Sequence, residues 1–344
     1  MNMSSGELLN SKAGPGSVVR AALKRLTQEQ IIVLVTFVFV AIFSIFINGF
    51  ATVGNLMVLL RNMSVLGIFS IGMGIVVIGR GIDLSQVTTG AVSAAWVLKL
   101  MHDGMGITSA ILLGLALVLL VGVINGYLIA FIEIPPLFAT LASGICVYGF
   151  VRHFLLELLN NHYVPDTCKD FLFLGQGKIG GIPMPVICFG LIALFVHLFL
   201  SRISYGRFIY AQGDNEDAAR ITGIGVRPMK VLQYTLCAAI GYIAAIVMAS
   251  STASLNVRIV DSTLIFDVVL VVVLGGISLV GGRGSVLSVL AGTALIGTLL
   301  NGMVIMNLGI AQQNLVKSIV LLGAILLDTF LHPRDEETAR QGDI

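Results

Sequence analysis

Ten apolar runs divide the chain. They fall at about 30–48, 56–79, 84–101, 107–132, 137–158, 183–201, 229–250, 264–280, 285–306 and 315–331. A helix needs about 20 apolar residues to cross a bilayer, so each run predicts a spanning helix. Most of the polar connections are short. Two longer ones, about 159–182 and 251–263, fall on one side, and a basic one, 202–230, falls on the other. Gly, Asn and Arg interrupt the runs within 50–80 and 264–310. Such an interruption reads as a broken helix or a re-entrant piece, and irregular backbone is tolerated only where protein buries it. The predicted fold is an all-α polytopic membrane protein with about ten transmembrane helices.

Composition agrees with the pattern. The 344 residues are 57% hydrophobic and 11% charged, with mean hydropathy +0.99. Soluble domains carry roughly 25% charged residues, so a water-soluble fold is excluded. Disordered and disulfide-scaffold classes are excluded as well. The net charge is +2 and no basic stripe lies away from the membrane flanks, which excludes a nucleic-acid partner. Lysine and arginine then set orientation. With the N-terminus inside, the inner set is Lys12, Arg20, Lys24, Arg25, Arg80, Arg202, Arg207, Arg220, Arg227, Lys230, Arg283, Arg334 and Arg340. The outer set is Arg61, Lys99, Arg152, Lys169, Lys178, Arg258 and Lys317. Thirteen against seven predicts that both termini are cytoplasmic. The organisation is then a cytoplasmic segment 1–29, a transmembrane domain 30–332 and a charged tail 333–344. The first run is too long for a signal peptide and no small-residue cleavage site follows it, so it reads as a retained span.

No catalytic set is visible. Only Lys317 is followed by Ser or Thr, and Val316 precedes it, so no phosphate-binding G-x-x-x-x-G-K-[ST] occurs. Gly175, Gly177 and Gly180 form G-x-G-x-x-G, but they lie in an outer loop without the strand and helix that a dinucleotide site needs. His102, His153, His162, His197 and His332 are scattered, which speaks against a metal site. Cys146, Cys188 and Cys237 lie in apolar runs and Cys168 in a polar loop; all four read as reduced thiols. No cofactor is expected. Asp83, Asp267 and Asp328 are the carboxylates within or beside the runs. Each lies near a run end, where it can cap a helix, and each is also a functional candidate by its depth. Asn125 and Asn301 either hydrogen-bond between helices or face a polar pathway. Asp83, Asn125, Asp267 and Asn301 are therefore the candidates for pathway or hinge. Gly122-x-x-x-Gly126 reads as close helix packing. Gly81-Ile82 and Gly276-Ile277 suggest an internal repeat, but Asn125-Gly126 and Asn301-Gly302 align at an offset 19 residues different.

Segment 202–230 carries the clearest local signal. Gly213 is expected to break the chain, and Asp214 or Asn215 to cap a helix. Glu216 and Asp217 suit its positive N-terminal end. Ala218, Ala219, Arg220 and Ile221 continue it, and Gly223 stops it. Pro228 suits the first turn of the next span. The result is a helix of about two turns between two membrane helices, with small residues that leave a face flat enough to dock in a groove. A plain connection is usually about 2–8 residues, shorter than this one.

These residues resemble a known family. GRGIDLS (Gly79–Ser85), GRFIYAQGDNEDAARITGIGV (Gly206–Val226) and VVLGGISLVGGRGS (Val272–Ser285) are similar to blocks in permease subunits of bacterial ABC importers of the ribose family. The likeness runs from about residue 30 to 331. Members often continue the first block with Val-Gly-Ser, where this chain has Gln86-Val87-Thr88-Thr89. The resemblance implies an inner-membrane permease for a small carbohydrate or polyol, with no ATPase site of its own. A secondary carrier acting alone and a permease for branched-chain amino acids are the alternatives. The implied partners are ATP-binding subunits, an extracytoplasmic solute-binding protein and a second permease chain. Gly213, Asn215, Glu216, Ala218, Ala219, Arg220 and Gly223 would form the coupling helix and its junction with the ATPase.

Overall fold

Each of the ten apolar runs contains a helix, because helices satisfy their backbone groups internally where water is absent. The structure, a computed structural model, describes residues 28–331. The predicted N-terminal segment up to Thr27 and the tail 333–344 lie outside the described residues. In chain order the long helices begin with α1 (Gln28–Phe46), α2 (Val53–Ile78), α3 (Gln86–His102), α4 (Ile107–Ala130) and α5 (Pro136–Phe150). A π-helical turn, Val151–Leu155, extends α5. The outer segment then holds β1 (Asn161–Tyr163), the short helix α6 (Phe173–Gln176), β2 (Lys178–Ile179) and β3 (Ile182–Pro183). After it come α7 (Met184–Arg202), α8 (Ser204–Asp214), α9 (Glu216–Ile221) and α10 (Val226–Thr252). Strand β4 (Ser254–Asn256), α11 (Leu264–Gly275), α12 (Val286–Ile305) and α13 (Ile310–Leu331) complete the described chain.

Seven described helices are long and apolar enough to cross a bilayer by length and composition: α1, α2, α4, α5 with its extension, α7, α10 and α12. Three of the ten helices, α3, α11 and α13, fall outside that set, and α3 and α11 show why. Helix α3 has 17 residues and buries Gln86, Thr89 and Ser93. It packs against α4 and α10, so protein rather than lipid surrounds it and its polar groups are tolerated. Helix α11 has 12 residues and stops where Gly276 takes φ +102°. The interrupted run 264–280 is thus a short helix followed by buried irregular chain, with Ile277 and Ser278 enclosed. Helix α13 begins at Ile310, before its apolar stretch, because Gln312 accepts from the Gly309 amide at 2.8 Å.

Helix α10 is the axis of the bundle and packs on α2, α3 and α4. Between lipid-embedded helices, close packing replaces the hydrophobic effect as the main source of adhesion. Gly122 and Gly126 of α4 lie directly on the α10 backbone at Thr235 and Val231, so any side chain there would force the helices apart. The packing role expected for this pair is what the structure has. The chain's two ends separate cleanly. One end holds the α2–α3 turn, α8, α9 and the α11–α12 turn, joined by the bond from the Gly282 amide to the Ile78 carbonyl at 2.8 Å. The other holds the antiparallel pair β1–β4, with Asn161 opposite Asn256, and the β2–β3 hairpin. The glycines of the G-x-G-x-x-G stretch serve that second end: Gly180 turns the hairpin, and Gly175 abuts the backbone of Ser250 and Ser251.

Candidate functional site

The predicted short helix is present as α9. Asn215 has extended backbone, φ −152° and ψ 109°, and its side chain accepts from the Ala218 amide at 2.9 Å. Gly223, at φ +88°, ends it. The Gly223 amide bonds the Arg220 carbonyl and the Ile224 amide bonds the Ala219 carbonyl, which together close the helix C-terminus as a Schellman motif. Ala219 faces inward and is buried, whereas Asp217, Ala218, Arg220 and Ile221 are exposed. Ile221 is 87% exposed. Glu216 holds α9 to the bundle through Lys230 of α10 at 2.8 Å, and also meets Arg220 at 3.3 Å. A cleft of about 380 Å³ lies beside these groups, with Arg80 and Glu133 on its walls.

Gly213 does not break the chain, contrary to the expectation from sequence. It lies inside α8, and the break comes two residues later at Asn215. The reason for a glycine there is close approach. A Cβ on Gly213 would strike the Ile78 carbonyl and the Gly282 amide. Gly282, at φ +72°, is pressed in turn on the Asp214 backbone. Tyr210 donates from its hydroxyl to the Gly284 carbonyl at 2.9 Å, and Gln233 of α10 donates to Gln212 at 3.3 Å. The helix before α9 is therefore wedged between the α2–α3 turn and the α11–α12 turn.

Two of the four pathway or hinge candidates meet at one joint. Asp83 is fully enclosed and accepts from the Ser85 amide at 2.9 Å and the Ser85 hydroxyl at 2.6 Å. Asn125 of α4, also fully enclosed, donates to that hydroxyl at 2.9 Å. Asp83 thus caps the start of α3, and Asn125 makes an interhelical bond. Gln86, at the departure from the family block, is buried as well. It donates to the Phe69 carbonyl at 3.0 Å and the Cys237 carbonyl at 3.3 Å, bracing α2, α3 and α10. Gly72 and Gly241 leave the space it fills.

The other two candidates lie apart, towards the opposite end. Asp267 pairs with Lys317 of α13 at 3.0 Å, each side chain 11% exposed. Lys317 also donates to the Thr263 hydroxyl at 2.6 Å. Asn301 of α12 and Asn55 of α2 exchange two amide bonds, both 3.0 Å. That pair lines a cavity of about 340 Å³ between α2, α10, α11 and α12. The side chain of Asp328 lies outside the described residues.

Like Lys317, which stands within α13, Arg61 was misplaced by the sequence reading. Counted with the outer loops, it stands eight residues into α2, about 12 Å along the helix. Removing both leaves the inner and outer counts at 13 and 5, so the predicted orientation does not change. The signal was available, since Arg61 falls within the run 56–79.

The bundle, its buried polar joints and its exposed capped helix describe a multi-pass helical membrane protein. Among the described residues no cluster of His, Cys, Asp and Glu could hold a metal. Residues 55–327 match the family described as branched-chain amino acid transport system / permease component, and the chain belongs to that family. It is a multi-pass inner-membrane protein. It is 31% identical over 304 residues to the ribose import permease protein RbsC of Escherichia coli (strain K12), covering 87% of this chain and 93% of that one. It is 35% identical over 296 residues to RbsC of Bacillus subtilis (strain 168), covering 85% and 90%. The L-arabinose transport system permease protein AraH of Escherichia coli (strain K12) is 30% identical over 316 residues, with 88% and 90% covered. No solved structure matches the chain.

Proposed function

We propose that this chain is the membrane subunit of an ATP-driven importer for a small sugar, with α9 as the helix that receives force from a separate ATP-binding subunit. The carrying observation is α9 itself. It is capped at both ends, tied to α10 by one ion pair, and presents Ala218 and the 87% exposed Ile221 outward. The wedge at Gly213 supports a route for the movement. A shift of α9 passes through α8 to the two turns at once, and through Lys230 to α10. Rigid helices joined at discrete packed turns switch between arrangements rather than bend smoothly, which is what coupling requires.

The basic segment 202–230 supports an orientation with α9 and both termini in the cytoplasm. The strand pair β1–β4 then faces the compartment where a solute-binding protein would deliver cargo. A second permease chain, identical or related, would complete the pathway. Relatives named for ribose and arabinose support a pentose as cargo. The family description also names branched-chain amino acids, which keeps that cargo as the second reading.

The test is reconstitution with the ATP-binding subunit and the binding protein in liposomes. Arg220→Glu reverses charge on α9, and Gly223→Pro removes both the positive-φ residue and its amide bond. Each is expected to uncouple: ATP hydrolysis continues, while uptake falls and membrane insertion is normal. Uptake at the unaltered rate in both variants would refute the coupling role.

A further inference from the structure

The importer reading does not say where, within this chain, a solute is touched. The cavity of about 340 Å³ at the end opposite α9 supplies an answer. That size is at the small end of ligand pockets, which run about 300–1,000 Å³. Its polar lining is Asn55, Arg61 and Asn62 on α2, Asn301 on α12, and Ser251 and Thr252 on α10. The Asn55–Asn301 pair is fixed by its reciprocal bonds, so its remaining lone pairs have defined directions. The Nε of Arg61 is buried without a hydrogen-bond partner, and no carboxylate among the described residues pairs with its charge. A polar or ionisable side chain at this depth is expensive unless it faces a water-filled cavity or a partner. Leu59 and Leu66 of α2, Met248 of α10 and Leu300 of α12 supply apolar lining between them.

We infer that this cavity, with Arg61 as its donor fork and Asn55 and Asn301 as its fixed amides, is a transient binding site for an uncharged polyhydroxyl solute. The inference rests on the proposed importer function and deepens it. The chemistry fits one class. A sugar offers vicinal hydroxyls to a planar guanidinium and amides, and C–H faces to leucine and methionine. Five donors in one plane suit paired oxygens, which a lysine would not match. A zwitterionic amino acid fits poorly, because its ammonium group needs a carboxylate and the cavity wall has none. In the proposed orientation the cavity lies at the entry end, where solute arrives from the binding protein.

The experiment uses the whole importer in liposomes with labelled D-ribose as the probe. Arg61→Gln removes the fork, and Leu300→Trp fills the space from α12. Both are expected to slow import by about tenfold or more, the scale of one charge-assisted hydrogen bond lost at a bound state. ATP hydrolysis and recovery of the ATP-binding subunit are expected to stay within about twofold, since the changes are remote from α9. Arg61→Lys, which keeps charge without the fork, is expected to import faster than Arg61→Gln but slower than the unaltered chain. Unaltered import in both Arg61→Gln and Leu300→Trp would overturn the site. So would import lost only in step with loss of the ATP-binding subunit, because that pattern marks a purely structural role. An unaltered chain that recruits no ATP-binding subunit and moves no D-ribose would instead refute the importer reading, before any variant is compared.

Discussion

Two turns at the same end of the bundle solve one problem in different ways. Each joins a descending helix to a new one that starts at a serine: α2 to α3 through Ser85, and α11 to α12 through Ser285. Each serine hydroxyl donates to a carboxylate. In the first turn that carboxylate is Asp83, two residues away. In the second it is Glu29 of α1, which takes bonds from Ser285 at 2.7 Å and Ser288 at 2.6 Å across more than 250 positions. The second unit borrows again at its far end, where Asp267 of α11 depends on Lys317 of α13. The first turn therefore draws its carboxylate from within itself and takes only neutral bonds from outside, from Asn125 of α4 and Thr140 of α5, while the second takes its charged partners from α1 and α13. If α9 drives both through Gly213, the first turn moves against neutral bonds to α4 and α5, and the second against charged partners on α1 and α13.

The sharpest way to break this contrast is at the buried ion pair. Lys317→Met leaves Asp267 enclosed without its counter-charge, and should destabilise the chain by about 3–5 kcal/mol. Adding Asp267→Leu should recover most of the loss, because an apolar pair needs no desolvation. Thermal unfolding in detergent measures both; equal loss in the single and double variants would mean that the pair is not what holds α11 to α13.

The turn with its own carboxylate comes next. Asp83→Leu strips the Ser85 amide and hydroxyl of their acceptor, at a cost of about 2–3 kcal/mol. Asp83→Asn keeps an acceptor oxygen and should cost less than half as much. The same unfolding assay compares them, and similar losses would show that a charge, rather than an acceptor, is needed there.

The smallest effect is expected at the borrowed cap. Ser285 and Ser288 still bond each other in a capping box without Glu29, so Glu29→Ala should cost only about 1–2 kcal/mol. Its effect should fall on α1. Hydrogen exchange at the amides near the start of α1 should speed up, with α3 unaffected; equal acceleration in α3 would remove the distinction between the two joints.

Much of segment 202–230 was legible because its signals are local. A cap residue and a positive-φ glycine act on amides within four positions, so Asn215 and Gly223 could be read from spacing alone. Asp83 was legible as a cap for the same reason. Gly213 was misread because its cause is not local: it is glycine to let Ile78 and Gly282 approach, and nothing in 202–230 encodes them. The candidates Asn125, Asp267 and Asn301 were correctly singled out as polar groups in apolar runs. Their partners lie 40, 50 and 246 positions away, beyond the reach of periodicity.

The sequence by itself determined that the chain is helical and lies in a membrane, where its ten apolar runs fall, and where one short helix must start and stop. Those properties follow from transfer of apolar side chains out of water and from bonds closed within a single turn. Only the tertiary structure decided that α3 is enclosed, that Arg61 borders a cavity, and which helix supplies each buried counter-group. Those depend on where helices distant in sequence come to rest, and in a bundle of nearly uniform apolar helices that is settled by close packing at glycines such as Gly122, Gly126 and Gly213.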